Sequence, residues 1–161
     1  MVIPFVGEQE IQDIARAAYA GLRSEIPNQF VFVTVHSKRN VEVRFSFPGG
    51  SYQVFNADLA NKIAYEGSLN LEESWRGRGL GRKLAVAREE ICSKLGVDLV
   101  VINKNENDSF WAHMGYKRIG FFSQGVKRRA VNAGVFLSYS QYAPRYKIIK
   151  LSPKGFEPST H

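Results

Sequence analysis

A chain of 161 residues that is 44% apolar, 12% aromatic and 23% charged has the size and composition of one globular domain with its own core. No run approaches 18 apolar residues, so a transmembrane helix is excluded and no membrane partner is expected; MVIPFV lacks a basic n-region and a long apolar h-region, so it does not read as a secretory signal. One cysteine, Cys92, makes no internal disulfide, and three scattered histidines (His36, His113, His161) give no ligand spacing, so no metal is expected and the cytoplasm is the expected setting. The net charge of +7 is unevenly placed: residues 1–116 carry 13 basic and 14 acidic side chains, residues 117–161 nine basic and one acidic. A localised basic field raises the local concentration of anionic partners.

Residues 8–25 carry Ile11, Ile14, Ala15, Ala18 and Leu22 at helical spacing, and Pro27 closes that helix. Residues 29–36 and 41–47 alternate like strands around a polar turn, and Pro48-Gly49-Gly50 breaks the second one. Residues 51–61 read as a short strand followed by a turn or short helix. Residues 62–71 read as a strand in which Gly67 suggests a bulge. A Gly/Arg-rich turn over 75–81 leads into a helix over 79–95, with Leu80, Leu84, Ala87, Ile91 and Leu95 as its stripe and Gly96 as its stop. Residues 97–102 are almost entirely apolar, as in a strand covered on both faces. Strand, helix and strand of these lengths make a βαβ unit with parallel strands and a right-handed crossover. A polar loop over 103–107 precedes a short helix over 108–114, which Gly115 ends. Residues 116–122 read as a strand, and after a basic connection 134–140 and 145–151 read as a terminal strand pair. Residues 1–151 form one domain in this reading, and 152–161 a frayed tail.

The turn Trp75-Arg76-Gly77-Arg78-Gly79-Leu80-Gly81-Arg82 has the chemistry of an anion site. Glycines let backbone approach a phosphate closely, and the first turn of a helix offers unpaired N–H groups and the positive end of the dipole. Arg76, Arg78, Arg82 and Lys83 add full charges. A P-loop needs GxxxxGK[ST], and the chain has none. A dinucleotide fingerprint needs GxGxxG after the first strand of a doubly wound sheet, whereas this turn lies mid-chain after an antiparallel meander.

Arg76-x-x-Gly79-x-Gly81 resembles the Arg/Gln-x-x-Gly-x-Gly/Ala signature of the GNAT superfamily of N-acetyltransferases. The preceding 69–75 segment looks like that family's fourth strand running into its pyrophosphate loop, and Phe110-Trp111-Ala112-His113-Met114-Gly115-Tyr116 looks like the second half of its motif. The resemblance spans roughly residues 62–122. It implies an α+β fold with a mixed, mostly antiparallel central sheet, a βαβ acyl-CoA site and helices on both faces. It implies acetyl-CoA, or another short acyl-CoA, as donor and an amine as acceptor. Carried over by position, the backbone of Arg76, Gly77, Arg78, Gly79, Leu80, Gly81 and Arg82 would hold the pyrophosphate. Leu69 and Leu71 would pair with the pantetheine arm, Phe110 and Trp111 would flank it, and Asn103 or Asn107 would hydrogen-bond the cofactor. The parallel strands would splay to admit the arm.

Acyl transfer to an amine requires a neutral amine, a donor for the oxyanion and, for some leaving groups, a proton. The family's usual general acid is a tyrosine four residues before the motif's glycine; that position is Trp111, whose indole supplies no proton. Ser109, Tyr116 or a water are the substitute candidates. Glu66 and Tyr65 are the candidate bases, and strand alternation aims Glu66 at the opposite face unless a bulge at Gly67 resets the phase. Catalysis by positioning alone is the alternative. His113 reads as a helix-surface residue and Cys92 as a small buried one.

The C-terminal basic excess, with Lys127, Arg128 and Arg129 at its centre, is not used by a CoA site. Interleaved with aromatics, it suits an acceptor or a nucleic acid such as tRNA or DNA. Three readings follow: an N-acetyltransferase acting on a small-molecule, peptide or protein amine, a related protein acting on nucleic acid, and a non-catalytic acyl-CoA-binding module. A homodimer fits any of them.

Overall fold

The computed structural model describes residues 7–37, 39–139 and 141–151, and leaves out the side chains of residues 66 and 67. The expected frayed tail at 152–161 lies outside the described residues. In chain order the elements are α1 (Glu8–Ala20), β1 (Phe30–Val35), β2 (Asn40–Phe47), β3 (Ser51–Asp58), β4 (Ile63–Asn70), α2 (Leu80–Lys94), β5 (Leu99–Ile102), α3 (Asp108–His113), β6 (Lys117–Arg118), α4 (Gln124–Asn132) and β7 (Arg145–Ile148). Short 3₁₀ turns at Pro48–Gly50 and Glu73–Trp75 flank β3 and the Gly/Arg loop.

Among the described residues the seven strands form one sheet in the order β1-β2-β3-β4-β5-β7-β6. Every neighbouring pair is antiparallel except β4 and β5. The parallel pair is the βαβ unit read from the sequence, with α2 as its crossover.

Strand alternation sorts the side chains into two cores. Val41, Val43, Phe45, Phe55, Ala57, Ala64, Val100 and Ile102 face α1, α2 and α3. There the α1 stripe ends on Tyr19, fully buried, stacked on Phe45 at 4.1 Å and donating its hydroxyl to Gln53 Oε1 at 2.7 Å. On the other face Ile63, Leu99 and Val101 meet Ala130 of α4, with Ile119 and Val135. β5 is buried on both faces, as its unbroken apolar run predicts.

The C-terminal third departs from the sequence reading. The strand expected over 116–122 is only Lys117–Arg118, and of the strand expected over 134–140 the described residues 134–139 form none. The reason is competition for an edge: β7 takes the place beside β5 and pairs with both β5 and β6. Part of the displaced segment bonds instead to the chain beyond β5, through Ser138 N–H to the Asn103 carbonyl at 3.3 Å. The basic connection contains a helix, α4, whose Val126, Ala130 and Ala133 pack on the back of the sheet. That spacing was present in the sequence, but Gly125 and the Lys127-Arg128-Arg129 run hid it.

Candidate active site

β4 and β5 pair only at Ile63↔Leu99 and Ala64↔Val100. Beyond that point β4 continues to Asn70 and β5 to Ile102 with no partner between them, so the strands part. The opening is a cavity of about 520 Å³ lined by Tyr52 of β3, Ser68, Leu69 and Asn70 of β4, Ile102, the loop residues Lys104, Glu106 and Asn107, and Phe110 and Trp111 of α3.

A bulge in β4 shapes its near wall. Val54 faces Ser68 and Asn56 faces Tyr65, so residues 66 and 67 together oppose Phe55. Ala64 and Leu69 therefore join the helix-side core, whereas Tyr65 packs on the α4 side and Ser68 and Asn70 share the side of Tyr52. The bulge suggested by Gly67 is present and it does reset the phase. The cavity lining consequently draws on both faces of β4, with Leu69 on the helix side and Ser68 and Asn70 on the side of Tyr52.

The Gly/Arg loop lies at the end of β4. Gly77 and Gly79 adopt φ of 75° and 73°, in the left-handed region that other residues enter at a cost. A Cβ on either would meet no atom within 4 Å, so the loop borders open space. Gly79 is also the N-cap of α2, with no side-chain cap, and the first amides of the helix have no intrahelical acceptor. A Cβ on Gly81 would sit 3.6 Å from the Phe110 ring and 3.8 Å from Leu69 Cδ2, which places the head of α2 against the cavity wall. The loop is tied down from outside: the Trp75 indole donates to the Pro48 carbonyl at 3.1 Å, and Arg78 lies 5.2 Å over the Trp75 ring. Arg76 Nε donates to the Leu71 carbonyl at 2.8 Å, which fixes the arginine against the end of β4. Lys83 is ion-paired with Glu25. Arg82 is exposed.

Asn107 lines the cavity and caps α3 through its side chain. Asn103 is buried and its amide donates to the Phe136 carbonyl at 3.3 Å, which ties down the 134–139 segment. Trp111 is buried between Phe110 at 4.8 Å and Tyr116 at 5.1 Å, with the Arg88 guanidinium 5.1 Å over its ring. Of the two aromatics, Phe110 is the half-buried one and Trp111 is mostly core.

Among the described side chains, the candidates Tyr65 and Tyr116 lie apart. Tyr116 is 2% exposed, donates to Glu89 Oε2 at 3.0 Å and accepts from Arg88 at 3.4 Å; burial pushes its pKa above the usual phenol range. It is not part of the cavity wall. Tyr65 is half-buried in the α4-side core. Glu66 lies in the bulge, and its side chain is outside the described residues. Cys92 is fully buried, and burial pushes its thiol up to about 12. His113 is exposed on α3, its Nδ1 2.8 Å from the Ser109 carbonyl.

The C-terminal charge is partly spent on structure. Arg129, one of the expected anion-binding trio, pairs with Asp98 at 2.6 Å and donates to the Asn61 and Lys62 carbonyls. Lys147 pairs with Glu89 at 2.8 Å. Arg145 grips Asp108 through Nε at 2.7 Å and Nη2 at 3.1 Å. These donors, chiefly Arg145 and then Asn105, hold the Asp108 carboxyl at about 2. A carboxyl depressed in the folded state stabilises the fold above its unfolded value of about 3.9, and that contribution is lost as pH falls further. Thermal midpoints should therefore drop between pH 4 and about 2, and Asp108→Asn should flatten that part of the profile. An unchanged profile in the variant would show that the pair is not the acid-sensitive element.

Tyr52, Ser68, Asn70, Lys104 and Glu106 are cavity residues that the sequence reading did not single out. The signal for Tyr52 is its register opposite Asn70, which no local pattern carries.

No protein-family model matches the sequence, and no curated protein does. Solved structures do. The chain is similar to Tetrahymena GCN5, with 10% identity over 91% of this chain and 90% of that one, at a TM-score of 0.54. A GNAT-family acetyltransferase from Staphylococcus aureus aligns with 9% identity over 91% of this chain and 98% of that one, at 0.48. A GNAT-family N-acetyltransferase (YhbS) from Escherichia coli in complex with CoA aligns with 16% identity over 84% and 67%, at 0.45.

Proposed function

From the GNAT N-acetyltransferase fold that this chain adopts, we infer that it is an acyl-CoA-dependent N-acyltransferase, with acetyl-CoA as donor and a primary amine as acceptor. The observation that carries this reading is the parting of β4 and β5 after two residue pairs, with a cavity of about 520 Å³ in the gap and the Gly/Arg loop at its end. A diphosphate bearing a slender arm fits these parts. Open space beside Gly77 and Gly79 leaves room for phosphate oxygens, and the first-turn amides of α2 with Arg76, Arg78 and Arg82 supply donors. Leu69, Ile102, Phe110 and Trp111 would border the arm. Leu71 keeps its N–H and the second lone pair of its carbonyl for the arm, since Arg76 takes only one.

Bound acyl-CoA would supply an activated acyl carbon. The protein's part is orientation: the loop fixes one end, the cavity walls fix the other, and the acceptor enters past Tyr52, Ser68 and Asn70. Neither Tyr65 nor Tyr116 lines the cavity, and with catalysis by positioning alone the acceptor amine loses its proton to water. The rate should then rise about tenfold per pH unit while the amine is mostly protonated. Calorimetric titration with CoA and acetyl-CoA, followed by thiol release across an amine panel, tests the reading. Absence of CoA binding to the folded protein would overturn it, and binding without thiol release from any amine would leave the non-catalytic module.

A further inference from the structure

The chain after α3 is one-sided in charge and in exposed apolar surface. Between Asp108 and Glu157 there is no acidic residue. Of the ten large apolar side chains that the described residues leave exposed, seven lie between Phe121 and Leu151. The extreme pair is Phe121, 79% exposed, and Phe122, 97% exposed.

These two phenylalanines occupy the corners of a tight turn. Ser123 N–H donates to the Gly120 carbonyl at 3.1 Å, and the Ser123 hydroxyl bridges Gly120 N–H and the Arg118 carbonyl, each at 3.4 Å. Turn corners favour Gly, Pro, Asn, Asp and Ser, so turn formation does not call for Phe. Packing does not either, since the rings meet edge to face at 5.3 Å and join neither core. Folding thus accounts for neither residue, and two adjacent apolar side chains this exposed mark a contact surface.

The surroundings select the partner. Lys117 and Arg118 precede the turn, and Lys127 and Arg128 follow it on α4. Among the described residues no carboxylate lies within ion-pair distance of Lys117, Lys127 or Arg128, and Arg118 is 69% exposed beside Asp108. The partner is therefore apolar at its centre and anionic at its rim. A convex two-residue tip is far smaller than the roughly 800 Å² per partner of a stable protein interface. Single-stranded nucleic acid is held in basic grooves on free ring faces, whereas these rings form a knob and cover part of each other. A lipid surface needs only shallow insertion of a few apolar groups beside cations that meet anionic headgroups.

We propose that the Gly120–Ser123 turn, with Lys117, Arg118, Lys127 and Arg128 around it, docks this protein on an anionic bilayer surface. The expectation of no membrane partner rested on span length alone and does not bear on surface insertion. Co-sedimentation of the full chain with phosphatidylcholine vesicles, with and without phosphatidylglycerol, tests this. The expected result is binding to the anionic vesicles, at least tenfold weaker on neutral ones and weaker with added salt. Phe121→Ser with Phe122→Ser should reduce it about tenfold at an unchanged thermal midpoint, and Lys127→Glu with Arg128→Glu should abolish it. The proposal is overturned if anionic vesicles are not bound, or if the double serine variant binds them as wild type does. It is also overturned if the two phenylalanines instead support oligonucleotide binding or self-association, read by anisotropy and sedimentation.

Discussion

Gly79→Trp should lower affinity for CoA by at least about 100-fold, close to 3 kcal/mol of binding free energy, while the protein stays folded. Gly79 has φ of 73° and caps α2, and a Cβ there points into open space with no atom within 4 Å. An indole would occupy the volume into which a diphosphate must come to reach the first-turn amides. The backbone strain of a non-glycine residue at this angle is about 1–2 kcal/mol, against a typical domain stability of about 5–15 kcal/mol, so unfolding is not expected. Gly79→Ala separates bulk from strain, because alanine carries the strain with almost none of the bulk. The expected order of calorimetric affinity is wild type, then alanine slightly weaker, then tryptophan below detection. Equal affinity in wild type and Gly79→Trp would show that the loop is not the diphosphate site.

The second large effect is expected at Arg145→Met. Arg145 is 8% exposed and joins three parts of the chain: its own strand β7, Asp108 at the start of α3, and the Tyr116 carbonyl just after α3, to which Nη1 donates at 2.7 Å. Asn105 adds to the same knot by donating to Asp108 at 2.7 Å and to the Ala143 carbonyl at 3.1 Å. Removing the guanidinium leaves the Tyr116 carbonyl without its side-chain donor and the Asp108 carboxylate with only Asn105 and the more distant Arg118, which costs far more than removing both partners together. A fall in thermal midpoint on the order of 10 °C is expected for a chain of this size. Because α3 carries Phe110 into the cavity wall, affinity for CoA should weaken as well. The double variant Arg145→Met with Asp108→Leu should regain part of the lost stability. A midpoint within about 2 °C of wild type for the single variant would show that the knot is not a structural tie.

The site was readable in the sequence wherever its chemistry is local. Arg76-x-x-Gly79-x-Gly81 reveals a backbone that must turn left-handed beside a helix start, and the structure places Gly77 and Gly79 in that conformation. The Gly67 bulge was legible for the same reason. The groups facing the cavity from β3, and the acids that absorb the C-terminal charge, were not legible. Tyr52 reaches the cavity through pairing across β3 and β4, and Asp98 finds Arg129 across 31 positions of chain. Tyr116, attractive by its place in the motif, is drawn inward by Glu89 and Arg88 on α2.

The amino-acid order by itself determined α1, the β1–β2 meander, the β4–α2–β5 unit and the left-handed glycines of the Gly/Arg loop, because periodicity, capping and glycine angles act over a few residues. Only the tertiary structure decided which strand sits beside β5, and so turned residues 134–139 of the expected strand into a connecting segment. It alone decided that α4 forms against the back of the sheet and that β4 and β5 separate after two pairs. Those outcomes depend on which distant surfaces compete for the same edge or face, and the free energy of that competition is not encoded within any one segment.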